Sequence, residues 1–306
     1  MRQSLSVIIE NFNFEQCMDT YRLRSAYIGP QTIVEISADR HNDLVRARQC
    51  LVDAGNFERR YALLVGNFLA LEEFTAVTNL RNEVHWDIGY ESGDAVLMEA
   101  NRHVINFFTS AKSYVDQVNS DFKIIGEGSW FHDQADRQLK AAFDRSIHYR
   151  ISDQLRSRGQ HRAMPVDGYG PRPDSKAEDG IWFYTTKEML SKDKKFKKST
   201  LAETPDRIYF RTTLRGYMHE LSSVHISLRK LVKRDVDECR AMMEAAVEDY
   251  RAAQKDPGTT SHTGIGIESA HYVGEVVVDS IPLLLNWDNN RLKLAEKHRS
   301  EVKLPY

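Results

Sequence analysis

Between Asp144 and Arg162 the sequence DRSIHYRISDQLRSRGQHR sets five arginines against two aspartates and adds His148 and His161. Arginine presents a planar fork of donors that grips phosphate oxygens and never loses its charge. Histidine titrates near neutrality and can both take and give a proton. Together these side chains suit phosphodiester chemistry without a metal. A base activates a ribose 2′-hydroxyl, a guanidinium steadies the crowded phosphorane, and an acid protonates the leaving oxygen. In this reading His161 transfers the proton, Arg156 supplies the charge and Ser157 positions them. Ser157 and His161 are four apart and share a helical face. Arg156 and His161 are five apart and diverge by about 140° on an ideal helix. Gly159 is expected to let the chain leave the helix, so that the imidazole swings back toward the guanidinium.

These residues need elements to carry them. Leu97, Val104, Phe108, Ala111, Val115 and Val118 recur at helical spacing and predict a first long helix over 94–119. A polar, Gly-containing loop follows. A second helix is expected along Leu139, Ala142, Phe143, Ile147, Ile151 and Leu155, stopped by Gly159 and Pro165. TPDR at 204–207 reads as the start of a third, with Thr204 as N-cap and Pro205 in the first position. Its apolar line from Leu214 to Tyr250 implies a helix of about 70 Å. Such a helix either bends, near Gly216, or lies against a second chain. IWFYTT at 181–186 reads as a strand. The N-terminal part mixes two short strands, in LSVIIENF and TIVEIS, with helical spacing over 44–51 and 61–80. The tail after Thr259 offers strand and turn, then a charged segment. The expected organisation is therefore a mixed α/β segment (1–92), a helical bundle (93–256) with a loop insertion at 165–203, and a C-terminal appendage (257–306).

The stretch FDRSIHYRISDQLRSRGQH, set between the first and third long helices, resembles HEPN domains, helical bundles marked by an arginine and a histidine with four to six residues between them. The resemblance covers about half the chain. It implies a mainly α, HEPN-like bundle acting as a homodimer, with the motifs of two chains facing each other and cleaving RNA by 2′-OH transesterification without metal or cofactor. It also suggests a toxin or defence role. Ser157 stands where the family most often has asparagine. Two alternatives stay open: an inactive RNA- or nucleotide-binding bundle, and a dimeric interaction scaffold.

Arg150, Arg158, Arg162, Lys194 and Lys195 are candidate RNA contacts. Arg150 and Arg158 read equally well as a solvated or salt-bridged face, His148 as packing. The run Lys192, Lys194, Lys195, Lys197 and Lys198 suits an RNA backbone or a solubilising loop, with Phe196 as a lone stacking candidate. RNEVH at 81–85 has the Arg-Asn pair but too short a spacing. GIGIES and YGPRP are turn chemistry, not phosphate loops. Composition limits the rest. The 306 residues are 41% hydrophobic and 28% charged with a formal net charge of −2, so an anion site must be local. Three scattered cysteines and the lack of an apolar run of membrane length point to a soluble, cytoplasmic protein.

Overall fold

A computed structural model describes residues 19–27, 32–85, 90–126, 128–171, 180–254 and 262–304. In chain order the elements are β1 (Asp19–Ser25), β2 (Ile33–Ile36), α1 (Ala38–His85), α2 (Tyr90–Gln117), α3 (Trp130–Arg145), α4 (Ile147–His161), β3 (Gly168–Pro171), β4 (Ile181–Thr186), α5 (Lys187–Ser191), α6 (Lys198–Glu203), β5 (Arg207–Tyr209), α7 (Phe210–Ala252), β6 (Ile267–Val273), β7 (Val276–Pro282) and α8 (Asp288–Lys297). The chain is mainly helical, with two small antiparallel sheets ordered β2-β1-β6-β7 and β3-β4-β5. Among the described residues no helix is long and apolar enough to cross a membrane.

Two compact units are present. One gathers the described residues up to Leu51 with Val236–Asp288. The other gathers Val52–Asp235 with Asn289 onward. The boundaries fall inside α1 and inside α7, not at the segment limits read from composition, because the helical periodicity of both elements continues unbroken across them. In the first unit the four-stranded sheet packs Leu23, Ile267 and Ala270 into a core with Leu44, Met243 and Val247. In the second, the core is aromatic. Phe57, Tyr61, Phe107, Phe108, Tyr114 and Tyr217 are buried; α2 supplies Phe107, Phe108 and Tyr114, of which Phe108 lies on the predicted stripe.

The strand at IWFYTT is β4, TIVEIS contains β2, and α1 joins the two N-terminal helical patterns into one helix of 48 residues. LSVIIENF lies outside the described residues. Three expectations need correction. The second helix is two helices, broken at Ser146 with φ −110° and ψ 114°, where the serine Oγ accepts a hydrogen bond from Tyr149 N at 3.3 Å and so caps α4. Gly159 does not end α4, which runs on to His161. The third helix does not open at TPDR. Thr204 closes α6, its Oγ1 donating to Thr200 O, while 207–209 pair with β4 before α7 begins at Phe210. Burial of Ile208 on that strand outweighs the local capping signal.

α7 is one helix of 43 residues through Gly216. A Cβ at Gly216 would lie 2.4 Å from the His148 ring, so the glycine admits that imidazole of α4. DPG at 256–258 lies outside the described residues. The tail forms the β6–β7 hairpin, turning at Gly274 with φ +61°, and its charged segment is α8.

Candidate phosphate site

Among the buried side chains of α4, Ile151, Leu155 and Arg158 stand on successive turns of one inward face. Arg158 therefore stands where the spacing calls for an apolar residue, and it is 5% exposed. Its Nη2 lies 3.4 Å from Asp167 Oδ1, whereas Nη1 is buried with no hydrogen-bond partner. Asp167 is positioned from two sides. Asn101 of α2 clamps the neighbouring Val166, accepting from its N–H at 2.9 Å and donating to its carbonyl at 3.1 Å, and Asp167 N donates to Tyr184 O of β4. Thr185 Oγ1 donates to the other carboxylate oxygen.

One turn further, Arg162 ends the helix, its N–H returning to Arg158 O at 2.8 Å. Arg162 Nε donates to Asp193 Oδ2 at 2.7 Å and Nη1 reaches Ser157 Oγ at 3.4 Å. The Arg162–Asp193 contact ties α4 to the lysine-rich turn between α5 and α6. That turn is further fixed by Lys197 N donating to Gln154 Oε1 and by Phe196, which is buried. Burial takes Phe196 out of reach of a nucleic-acid base, contrary to its reading as a stacking residue.

The result is an open pocket of about 310 Å³ lined by Arg158, Arg162, Met189, Lys192, Asp193 and Lys194. The four cations carry one more charge than the three carboxylates beside them, Asp167, Asp193 and Glu188, the last paired with Lys192 at 2.9 Å. Lys195, Lys197 and Lys198 are exposed on the same turn. Three of the five sequence-derived RNA-contact residues thus surround or adjoin one cavity: Arg158, Arg162 and Lys194. Lys195 follows them, its N–H bound to Asp193 Oδ1. Arg150 points elsewhere, donating to Asp144 O at the end of α3 and to Glu203 of α6.

The expected catalytic residues are arranged differently. Because α4 stays helical, Arg156 is not turned toward His161 within the chain. Its guanidinium donates to Asp153 at 3.1 Å and to Gln160 at 2.9 Å. His161 is exposed at the helix end, one turn from Ser157. His148 is half-buried against α7, and burial lowers its pKa. Arg81 is exposed near the end of α1, so a long helix does precede RNEVH.

Neither a family model, a curated protein nor a solved structure matches this chain.

Two polar constellations escaped the sequence reading because their members are far apart in the chain. His225 lies fully buried, stacked on Phe57 and Tyr61, with Nδ1 3.1 Å from Tyr114 OH and Nε2 3.0 Å from Arg229 Nη2. Glu58 accepts both Arg229 Nε at 2.6 Å and Nη2 at 2.7 Å. Burial brings the His225 pKa down to about 4, leaving the ring neutral at pH 7. Burial pushes the Glu58 carboxyl up, but His225 and Arg229 outweigh it and hold it at about 2. In the sheet unit, Ser269 Oγ is 2.8 Å from His41 Nδ1, and His41 Nε2 is 3.7 Å from Asp279. This resembles a nucleophile–base–acid order, yet Ser269 is fully buried and no substrate atom can reach it. Among the described residues no group of three or more His, Cys, Asp or Glu is placed to hold a metal ion.

Proposed function

We propose that this chain binds RNA through phosphate contacts at the α4 end and the lysine-rich turn. The observation that carries the reading is Arg158: a permanently charged guanidinium, almost wholly buried, with one donor nitrogen unsatisfied beside an open pocket bordered by three further cations. Burying an unpaired donor on a charged group is costly, and a phosphate oxygen would offset that cost. The openness of the cavity and the run of exposed lysines beyond it suit a polymer backbone better than an enclosed small molecule.

The test is binding of a labelled single-stranded RNA across a salt series. Each lost phosphate contact lowers the slope of log K against log salt by about 0.7. Lys192→Ala, Lys194→Ala and Arg162→Gln are each expected to weaken binding and flatten that slope, with Arg156→Ala leaving both unchanged. Wild-type binding that ignores salt contradicts the reading.

Metal-independent cleavage is a second reading, favoured by the exposure of His161 one turn from Ser157. Arg156 is committed to Asp153 and Gln160, so the positive charge at a scissile phosphate would come from Arg162 or from a second copy of the chain. Cleavage in excess chelator that leaves a cyclic 2′,3′-phosphate and is lost in His161→Ala supports it. Intact RNA under conditions of saturated binding leaves binding alone.

A further inference from the structure

Three donors at the α4 pocket are left without an acceptor. Arg158 Nη1 is buried and unpaired. Arg162 commits Nε to Asp193 and Nη1 to Ser157, which leaves Nη2 with no partner among the described residues. Lys194 is exposed and has no carboxylate partner there either. Lys192, the fourth cation, is already held by Glu188 at 2.9 Å. Three donors around one pocket suit three acceptor oxygens on one group. A phosphodiester inside a strand presents two unesterified oxygens and a single negative charge, whereas a terminal phosphomonoester presents three and close to two charges at pH 7.

Depth points the same way. Arg158 is 5% exposed, and beyond its partner Asp167 the protein is closed: Thr185, which donates to that carboxylate, is fully buried, and Val166 is buried under its two hydrogen bonds to Asn101. An oxygen must extend ahead of the strand to reach a guanidinium with so little surface. A phosphate esterified on both sides carries a sugar on each and is held back, while one at the end of a strand is not. From the pocket, exposed cations continue along the turn at Lys195, Lys197 and Lys198, a path for the backbone that follows the first phosphate. We infer that the pocket takes the terminal phosphate of an RNA strand, its oxygens meeting Arg158, Arg162 and Lys194 while the strand leaves along the lysine-rich turn. RNA binding at this face, as read above, is presupposed; what is added is that the pocket holds an end of the strand.

Equilibrium binding to the full chain compares one short single-stranded RNA carrying hydroxyls at both ends, a 5′-phosphate, a 3′-phosphate, or the tighter-binding phosphate capped as its methyl ester. A phosphorylated form is expected to bind about ten-fold tighter than the hydroxyl form, and which one does so names the end. The methyl ester keeps the phosphorus and one charge but loses the third oxygen, so it should fall back to within about three-fold of the hydroxyl form. Arg158→Met should abolish the preference and Lys194→Ala, at an exposed position that folding does not need, should reduce it. Lys198→Ala should weaken every form alike and leave the preference in place. Equal binding of all forms overturns the end reading and leaves RNA binding standing, whereas no binding of any form overturns both. An advantage that survives methylation, or that survives in both Arg158→Met and Lys194→Ala, also overturns it.

Discussion

Arg158 concentrates the chemistry of the second unit in one side chain. Its single carboxylate contact is long at 3.4 Å, and its Nη1 is buried without a hydrogen-bond partner, a donor that the proposed phosphate would satisfy. Inorganic phosphate is therefore expected to raise the melting temperature in proportion to the logarithm of its concentration above Kd. Arg158→Met, which keeps the aliphatic stem, should abolish that dependence; scanning fluorimetry reads both. Glu58 makes the opposite case, a buried carboxylate whose partners are all in place. Glu58→Ala should cost about 3–5 kcal/mol, since it strands Arg229 and His225 in the core. The spacing of α4 exposed the cations to a reader of the sequence. It did not reveal that Arg158 is the buried one, because that follows from Asn101 and Asp167, which bear no motif.

The same network sets a pH response. His225 has a folded pKa of about 4 against an ordinary 6.5, so the unfolded chain takes the proton first, and its share of stability is present above pH 6.5 and lost as pH falls toward 4. Glu58 adds a loss from about pH 4.5 toward 2. Asp121 works against both. Burial raises it to about 6 despite its pairing with Arg60, so it favours the fold below pH 3.8 and loses that contribution as pH rises through 6. Denaturant titrations between pH 4 and 7 should show a shallow acid loss in the wild type, a steeper one in Asp121→Asn and a flatter one in His225→Phe.

Single positions decide how helices meet. Gly216 lets the His148 imidazole of α4 approach α7, and Gly216→Ala should cost about 1–3 kcal/mol through overpacking despite the better helix propensity of alanine. Adding His148→Ala should recover most of that loss in a denaturant midpoint. Phe196 does similar work for the lysine turn. Phe196→Ala removes no charge, yet it should weaken RNA binding by loosening the lysines from Arg162, as well as costing about 3 kcal/mol or more of stability. The long helical stripes were readable from periodicity alone. The break at Ser146 and the delayed start of α7 were not. Both arise where a serine hydroxyl or a strand pairing offers the backbone a better partner than the next helical turn.

Taken as one object, the chain carries a net charge of −2, so any affinity for a polyanion must come from one patch and be strongly weakened by salt. The division into two units was not readable in composition, because α1 and α7 supply cores to both without a change of pattern. The cations that line this pocket were nonetheless recognisable as candidates, since arginine and lysine at a helix end and in an adjoining turn converge once that turn is pinned by Asp193 and Gln154. The most direct measurement is equilibrium binding of a short single-stranded RNA to the full chain, with and without Arg158→Met and Lys194→Ala, over a range of salt. Binding that falls with salt in the wild type, with lower affinity and a smaller slope in both variants, is the expected result. Binding of equal strength and equal salt slope in all three proteins, or none in any, would contradict it.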